Sequence, residues 1–274
     1  MSFTAKRFLD LQYLLGRIAI LVIGPLYFLF LRIRGYRVHD LKRIRRECAA
    51  HFEKHRGPWI VCANHLTMID SGILIYSMMS LPGHFLRYSL LPWNLPERDN
   101  FQRNIFLSLL CYLTKCIPVN RGGDREEMKK TLDRCNHLLG IGQNLMIFPE
   151  GGRSRTGRVD TEGFSYGVGR FLKEFENCMV MCIYLRGDRQ HGYSTFPRWG
   201  ERFTVCIEVF RPEKPAYNGL RAQREYAEQV VRRLARMEEN YFAANRKRHC
   251  QPGRLPRNKA KRQFQISAPR FHAE

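Results

Sequence analysis

The stretch WIVCANHLTMIDSG, Trp59 to Gly72, decides how this chain is read. It opens on an unbroken apolar run, Trp59 to Ala63, the pattern of a strand buried on both faces, and it closes on Asp70, where a helix can begin. Between them stands His65, five positions before Asp70. On an ideal α-helix residues five apart point roughly 140° away from each other, so a shared helix cannot bring the imidazole and the carboxylate together. They can meet only across a turn. A strand ending near Ala63, a loop folding back and a helix starting near Asp70 would let the carboxylate hold the ring, and strand–turn–helix is the building unit of an α/β domain.

The rest of the chain repeats that alternation. Apolar runs predict strands at 59–63, 85–91 (FLRYSLL), 115–120 (KCIPVN), 144–148 (NLMIF), 178–185 (CMVMCIYL) and 203–210 (FTVCIEVF). Amphipathic stretches predict helices at 70–80, 99–112, 124–140, 164–176 and 219–244, with Asp124 as an N-cap and Gly140 as a stop. No internal repeat is present. The 274 residues, 44% of them hydrophobic, suffice for one sizeable α/β domain.

Lys and Arg outnumber Asp and Glu by 46 to 25, a net charge of +21, which calls for a polyanionic partner: nucleic acid, anionic lipid or a phosphate-bearing substrate. Charge alone does not choose among these. Nine cysteines are an odd number and no pair has C-x-x-C spacing, the nearest being Cys111 with Cys116 and Cys178 with Cys182. Several lie inside apolar runs, as thiols do in a reducing compartment. His51 and His55 share the spacing of a zinc pair, but in HFEKH the glutamate is misplaced, so they read as a solvated helix end and no metal is expected.

Near the N-terminus, Ile18 to Leu31 carries no charge, and Gly24-Pro25 interrupts it. Fourteen residues fall short of the about 20 that cross a hydrocarbon core, so a re-entrant or interfacial helical pair is expected rather than a simple span. A cleaved signal peptide fits less well, because RIRGYR follows where a small-residue cleavage site belongs. Arg32, Arg34, Arg37, Lys42, Arg43, Arg45 and Arg46 come next against Asp40 and Glu47, a juxtamembrane charge that favours the cytoplasmic side and anionic lipid. Residues 245–274 hold nine Lys or Arg, one acid and three prolines, the composition of a disordered basic tail. The tail shows no aromatic-interleaved RNA-recognition motif, which argues against nucleic acid as a partner.

Two further loops carry chemistry. In LMIFPEGGRSRTG, Leu145 to Gly157, glycines allow close backbone approach and arginines can grip a phosphate. In CIPVNRGG, Cys116 to Gly123, an arginine and glycines again follow an apolar run. Ligands of open α/β sheets bind outside the carboxyl ends of the strands, so the three loops describe one site: His65 with Asp70, Arg121, and Glu150 with Arg153. A carboxylate on one ring nitrogen leaves the other as a base. Its proton would come from a serine, a water or a bound alcohol. No G-x-S-x-G elbow offers a serine, and an alcohol attacking an activated acyl group is the simplest of these. A hydrolase using water, and a non-catalytic basic protein that holds membrane or nucleic acid, remain as alternatives.

NHLTMID matches an N-H-x-x-x-x-D block, CIPVNRG a second block and FPEGGRSRTG an F-P-E-G-T-R-S block, in that order over roughly residues 55–210. On these motifs the chain resembles the glycerolipid acyltransferase family, which includes bacterial 1-acylglycerol-3-phosphate acyltransferase. The resemblance implies an α/β acyltransferase domain over 36–244, with a central mixed sheet flanked by helices, after a membrane-associated helical segment over 1–35 and before a tail over 245–274. It implies His65 as the base, Asp70 as its orienting partner, and Arg121, Glu150, Gly151 and Arg153 as ligands of the acceptor's phosphate and glycerol. The co-substrate would be acyl-CoA or acyl carrier protein, with no other cofactor and no metal. The acceptor would be a lyso-lipid, most simply 1-acylglycerol-3-phosphate, at the cytoplasmic face of a bacterial inner membrane. Gly152 in place of threonine, Asn120 in place of aspartate and a fourth block, VMCIY, without its proline depart from the pattern and leave a non-glycerolipid acceptor open.

Overall fold

In the computed structural model, which describes residues 1–101, 104–120 and 122–249, the chain runs from helix α1 (Phe3–Ile33) through β1 (Arg37–Val38) and α2 (Leu41–Lys54) into β2 (Trp59–Ala63). It continues through α3 (Asp70–Met78), α4 (Leu81–Leu86), β3 (Trp93–Asn94), α5 (Arg98–Phe101), α6 (Ile105–Leu113) and α7 (Arg125–Gly140). Then come β4 (Leu145–Ile147), α8 (Gly167–Glu174), β5 (Met179–Gly187), β6 (Arg202–Phe210) and α9 (Gly219–His249). Residues Met1–Glu238 form one unit, which holds the whole sheet; in the second, Glu239–Glu274, the described residues continue α9 to His249. Residues 250–274 of the expected tail lie outside the described residues.

The six strands make one mixed sheet in the order β1-β6-β5-β2-β4-β3, antiparallel between β5 and β6 and parallel elsewhere. β2 is central and buried along its length, as a strand with helices on both faces must be. Strand side chains alternate, so Trp59, Val61 and Ala63, with their partners Met179, Met181 and Ile183, face a core built with α2 and α3. The residues between them face the other way, where Ala227, Val230, Val231 and Leu234 of α9 are buried. A Cβ at Gly169 of α8 would collide with the main chain of Gln223, so α8 and α9 cross at backbone distance. This sandwich fixes the carboxyl ends of β2 and β5 side by side.

Three expectations fail locally. The run 85–91 is the end of α4 and a 3-10 turn at Tyr88–Leu90, and the strand on that edge is the two-residue β3. Tyr88 and Leu91 go inward while Leu86 is 84% exposed, a helical rather than an alternating burial. Residues 115–120 touch β3 only through single bridges, Asn94 to Cys116 and Glu97 to Val119. Lys115 is left-handed, at φ 55°, and Pro118 has no N–H to give a ladder. The predicted helix 99–112 divides into α5 and α6, the second capped by Asn104, whose side chain accepts from the Leu107 N–H at 2.8 Å. α7 begins after Asp124 and ends at Gly140 as expected, though Asp124 makes no side-chain cap bond and the left-handed residue of the turn that follows is Gly142, at φ 77°.

The N-terminal segment is one helix of 31 residues, not a pair, running straight through Pro25. Proline costs the helix one main-chain bond, and tertiary docking outweighs it. Gly16 and Gly24 are the notches: Tyr88 occupies the place of a Cβ at Gly16, and Leu81 lies 3.2 Å from one at Gly24. Gln12 donates to the carbonyls of Tyr112, at 2.9 Å, and Cys116, at 3.0 Å. The face away from α4 and α6 leaves Phe8, Leu11, Leu15, Ile18, Val22 and Leu26 exposed. The helix is long and apolar enough to cross a membrane, which by itself suggests membrane association only weakly.

Candidate active site

β2 ends because a side chain takes over its ladder. Asn64, 3% exposed, donates from Nδ2 to the Leu185 carbonyl at 2.9 Å and accepts from the Leu185 N–H at Oδ1 at 2.8 Å. Its carboxamide mimics a peptide unit and stitches the end of β2 to β5. The next residue, His65, is thereby turned out of the sheet with its main chain held at both ends: its N–H donates to Glu150 Oε1 at 2.9 Å, and its carbonyl accepts from the Ser154 N–H at 2.8 Å.

The loop from His65 to Ile69 then wraps the carboxylate of Asp70, the first residue of α3. Asp70 Oδ2 accepts from the main-chain N–H of Leu66 at 2.6 Å and of Thr67 at 2.7 Å, and from His65 Nδ1 at 3.0 Å. Oδ1 accepts from the Thr67 hydroxyl. The carboxylate is buried, and its place at a helix N-terminus adds the favourable end of the helix dipole. A carboxylate has only lone pairs to offer, so Nδ1 must carry the proton and Nε2 must be the basic nitrogen. The ring is stacked on Phe148, centroids 4.2 Å apart and planes at 23°, and it keeps 21% of its side-chain surface open.

That open edge meets a cavity of about 240 Å³, lined by Phe148, Gly151, Gly152 and Arg153 on one side and by Met128 and Leu132 of α7 on the other. A second cavity of about 260 Å³, almost wholly apolar, lies among α1, α3 and α6. The two share Met68, Ser71, Asn94 and Pro96 in their walls and so lie side by side, the one at His65 less apolar than the other.

Of the residues singled out in the sequence, the structure brings His65, Asp70, Glu150, Gly151 and Arg153 to this one rim; Arg121 lies outside the described residues. Glu150 turns inward. Its second oxygen accepts from the Asp160 N–H at 3.4 Å, so both oxygens brace main chain. Gly151 takes the left-handed φ of 71° that the turn after β4 requires. Arg153 lies over the ring of Tyr193, its guanidinium carbon 5.6 Å from the centroid. A Cβ at Gly152 would meet nothing within 4 Å, so the cavity is open at that point.

Sequence reasoning missed Asn64 and Thr67, and also the buried group behind the loop. Glu238 of α9 accepts from the Val159 N–H at 3.1 Å and from the Tyr184 hydroxyl at 3.2 Å, and Arg186 donates to the Gly157 carbonyl. A polar residue closing an apolar run was the only local signal for Asn64. Nothing local announces Glu238. Among the described residues no group of three or more His, Cys, Asp or Glu is placed to hold a metal ion.

Burial pushes the Glu150 carboxyl up to about 7, against the pull of the two N–H groups it accepts from. Its folded value thus lies above the ordinary 4.5, and between these the native protein keeps a proton that the unfolded chain has lost. Stability falls as pH rises through that window. Relative to Glu150→Gln, which does not titrate, the wild type should lose on the order of 2 kcal/mol between about pH 4.5 and about pH 7.5. Urea midpoints of the two proteins measure it; a difference that stays constant across that range would refute the buried, protonated carboxyl.

A comparison with known families finds that the model of the Acyltransferase family matches residues 35–198, the span from β1 to the loop before β6.

Proposed function

The chain belongs to the acyltransferase family, and from that premise we propose that it moves a fatty acyl group from acyl-CoA or acyl carrier protein to the hydroxyl of a lysophospholipid-type acceptor, 1-acylglycerol-3-phosphate first of all. The observation that carries this reading is His65 Nε2, left basic by Asp70, at the rim of a cavity that lies beside a second, almost wholly apolar one. Nε2 takes the proton of the acceptor hydroxyl as its oxygen attacks the thioester carbonyl. The tetrahedral adduct collapses, the C–S bond breaks, and the proton passes from the imidazolium to the departing thiolate. Ester and free thiol result. Asp70 stabilises the imidazolium in between.

Arg153, the turn at Gly151 and, from the sequence, Arg121 would receive the acceptor's phosphate, while Glu150 acts through the main chain of His65. The apolar cavity suits an acyl chain. Its wall is α1, whose exposed apolar face suits the lipid of a bacterial inner membrane entered from the cytoplasmic side, with the basic segment after it facing anionic headgroups. The open position at Gly152 favours one variant of this reading, an acceptor whose headgroup is bulkier than glycerol phosphate and not necessarily a glycerolipid.

Purified protein, labelled acyl-CoA or acyl carrier protein and a panel of lyso-lipids test the proposal by thiol release and product mass. Thiol and acylated lipid should appear in equal amounts and only when an acceptor is present. Thiol release at the same rate without any acceptor would make the protein a thioesterase and end this reading.

A further inference from the structure

Between β5 and β6 the chain leaves the sheet on the same rim as His65 and returns fourteen residues later. Within HGYSTFPRWG the side chains of Tyr193, Phe196 and Trp199 are 53%, 48% and 60% exposed. Three large rings facing water within seven residues are an unusual surface for a chain that folds alone. They are not loose. The Ser194 N–H donates to the Leu66 carbonyl at 3.0 Å, and the Met68 N–H donates to the Thr195 carbonyl at 3.2 Å, which ties the loop directly to the turn that wraps Asp70. The Tyr36 hydroxyl donates to the Pro197 carbonyl at 2.8 Å, and the Gly200 N–H donates to the Arg34 carbonyl at 2.8 Å. The main chain is fastened inward while the rings point out.

Basic side chains predominate around the rings. The Arg34 guanidinium stacks on Trp199, 4.8 Å from its ring centroid, and Arg32, Arg37, Arg198 and Arg202 are exposed nearby in the chain. The two acids of the loop are occupied: Asp188 pairs with His39 at 2.8 Å, and Glu201 is buried against Arg189. Arg34 is also the residue that ends α1, so Trp199 stands where the exposed apolar face of that helix, with Leu26, Leu29 and Ile33, gives way to arginines. Indole rings beside guanidinium groups at the end of an apolar surface are the pattern of a membrane–water interface.

From this we infer that the loop of Phe196 and Trp199 is a second membrane contact, seated among the headgroups of an anionic bilayer. The inference rests on the membrane association proposed above, not on the reaction. An acidic protein would match the arginines, but it gives no reason for exposed rings continuous with the apolar face of α1. Because the loop is hydrogen-bonded to Leu66 and Met68, its seating fixes the depth of His65 against the lipid surface. An acceptor could then present its hydroxyl to Nε2 without leaving the membrane.

The tryptophans make the test direct. Of the three, Trp59 and Trp93 are 2% and 0% exposed, so Trp199 is the one that lipid can reach. Vesicles of phosphatidylcholine with and without phosphatidylglycerol, carrying acyl chains brominated near the headgroup, should quench the emission of the wild type and leave that of Trp199→Phe unchanged. The double variant Phe196→Ser, Trp199→Ser should bind the anionic vesicles about tenfold or more weakly. It should still transfer acyl groups to a detergent-dispersed acceptor, and the unchanged emission of Trp59 and Trp93 reports its fold. Vesicle-bound wild type whose emission bromine does not touch, or a double variant that binds as tightly as the wild type, overturns the inference. So does a double variant that keeps its vesicle affinity and loses transfer only from acyl carrier protein, which would make the loop a protein-docking surface. Binding needs no turnover: His65→Ala should bind like the wild type, so quenching without any acyl transfer would leave this contact standing and defeat the proposed reaction alone.

Discussion

Purified His65→Ala protein is expected to transfer acyl groups about 10² to 10⁴ times more slowly than the wild type while remaining folded, the range that a positioned general base typically supplies. The loss should fall on kcat, with KM for acceptor and donor little changed, because the imidazole exchanges a proton during the reaction and does not anchor either substrate in the proposed complex. Folding should survive because what His65 gives the fold comes mainly from its main chain, in the bonds to Glu150 and Ser154, and alanine keeps both. The ring's stacking on Phe148 is lost, worth about 0.5–1.5 kcal/mol. Steady-state transfer assays with thermal unfolding on the same samples check both halves. A folded variant with wild-type turnover would remove His65 from the mechanism.

How much of this could be read beforehand varies with the range of the interactions involved. β2 and β5 were legible because strands buried on both faces have no choice but to be apolar runs, and the half-buried β6 because β-branched and aromatic residues fill it. A turn between His65 and Asp70 was legible because their separation forbids a shared helix. The main-chain donors that help hold the carboxylate were not, since the N–H groups of Leu66 and Thr67 are groups that every residue but proline possesses. Glu150 reads as a ligand because it stands among glycines and arginines; only the fold shows that its oxygens meet the N–H groups of residues 85 positions before it and ten after it. Gly24-Pro25 is a genuine local signal for a break, overruled by packing on α4 and α6 that no local window contains. The network of Glu238, Tyr184 and Arg186 draws on two distant elements and leaves no mark in either.

Asp70 offers the second large effect, and its two substitutions should separate chemistry from structure. Asp70→Asn keeps one oxygen. Placed where Oδ2 now lies, that oxygen still accepts from Leu66, Thr67 and His65, and the new amide can donate to the Thr67 hydroxyl, which turns to accept. The loop should hold, weakened by roughly 1–2 kcal/mol as charge-assisted bonds become neutral ones. What disappears is the negative charge that stabilises the imidazolium, so kcat should fall by a factor on the order of 10³ to 10⁴. Asp70→Ala removes the acceptor altogether and strands the buried N–H groups of Leu66 and Thr67, each at a cost of about 1–3 kcal/mol. It should match the asparagine variant in lost turnover and exceed it by several kcal/mol in lost stability. Denaturant midpoints and turnover of both variants, measured beside His65→Ala, decide the matter. If Asp70→Asn retains a tenth or more of wild-type turnover, the carboxylate only shapes the turn and lends the base nothing.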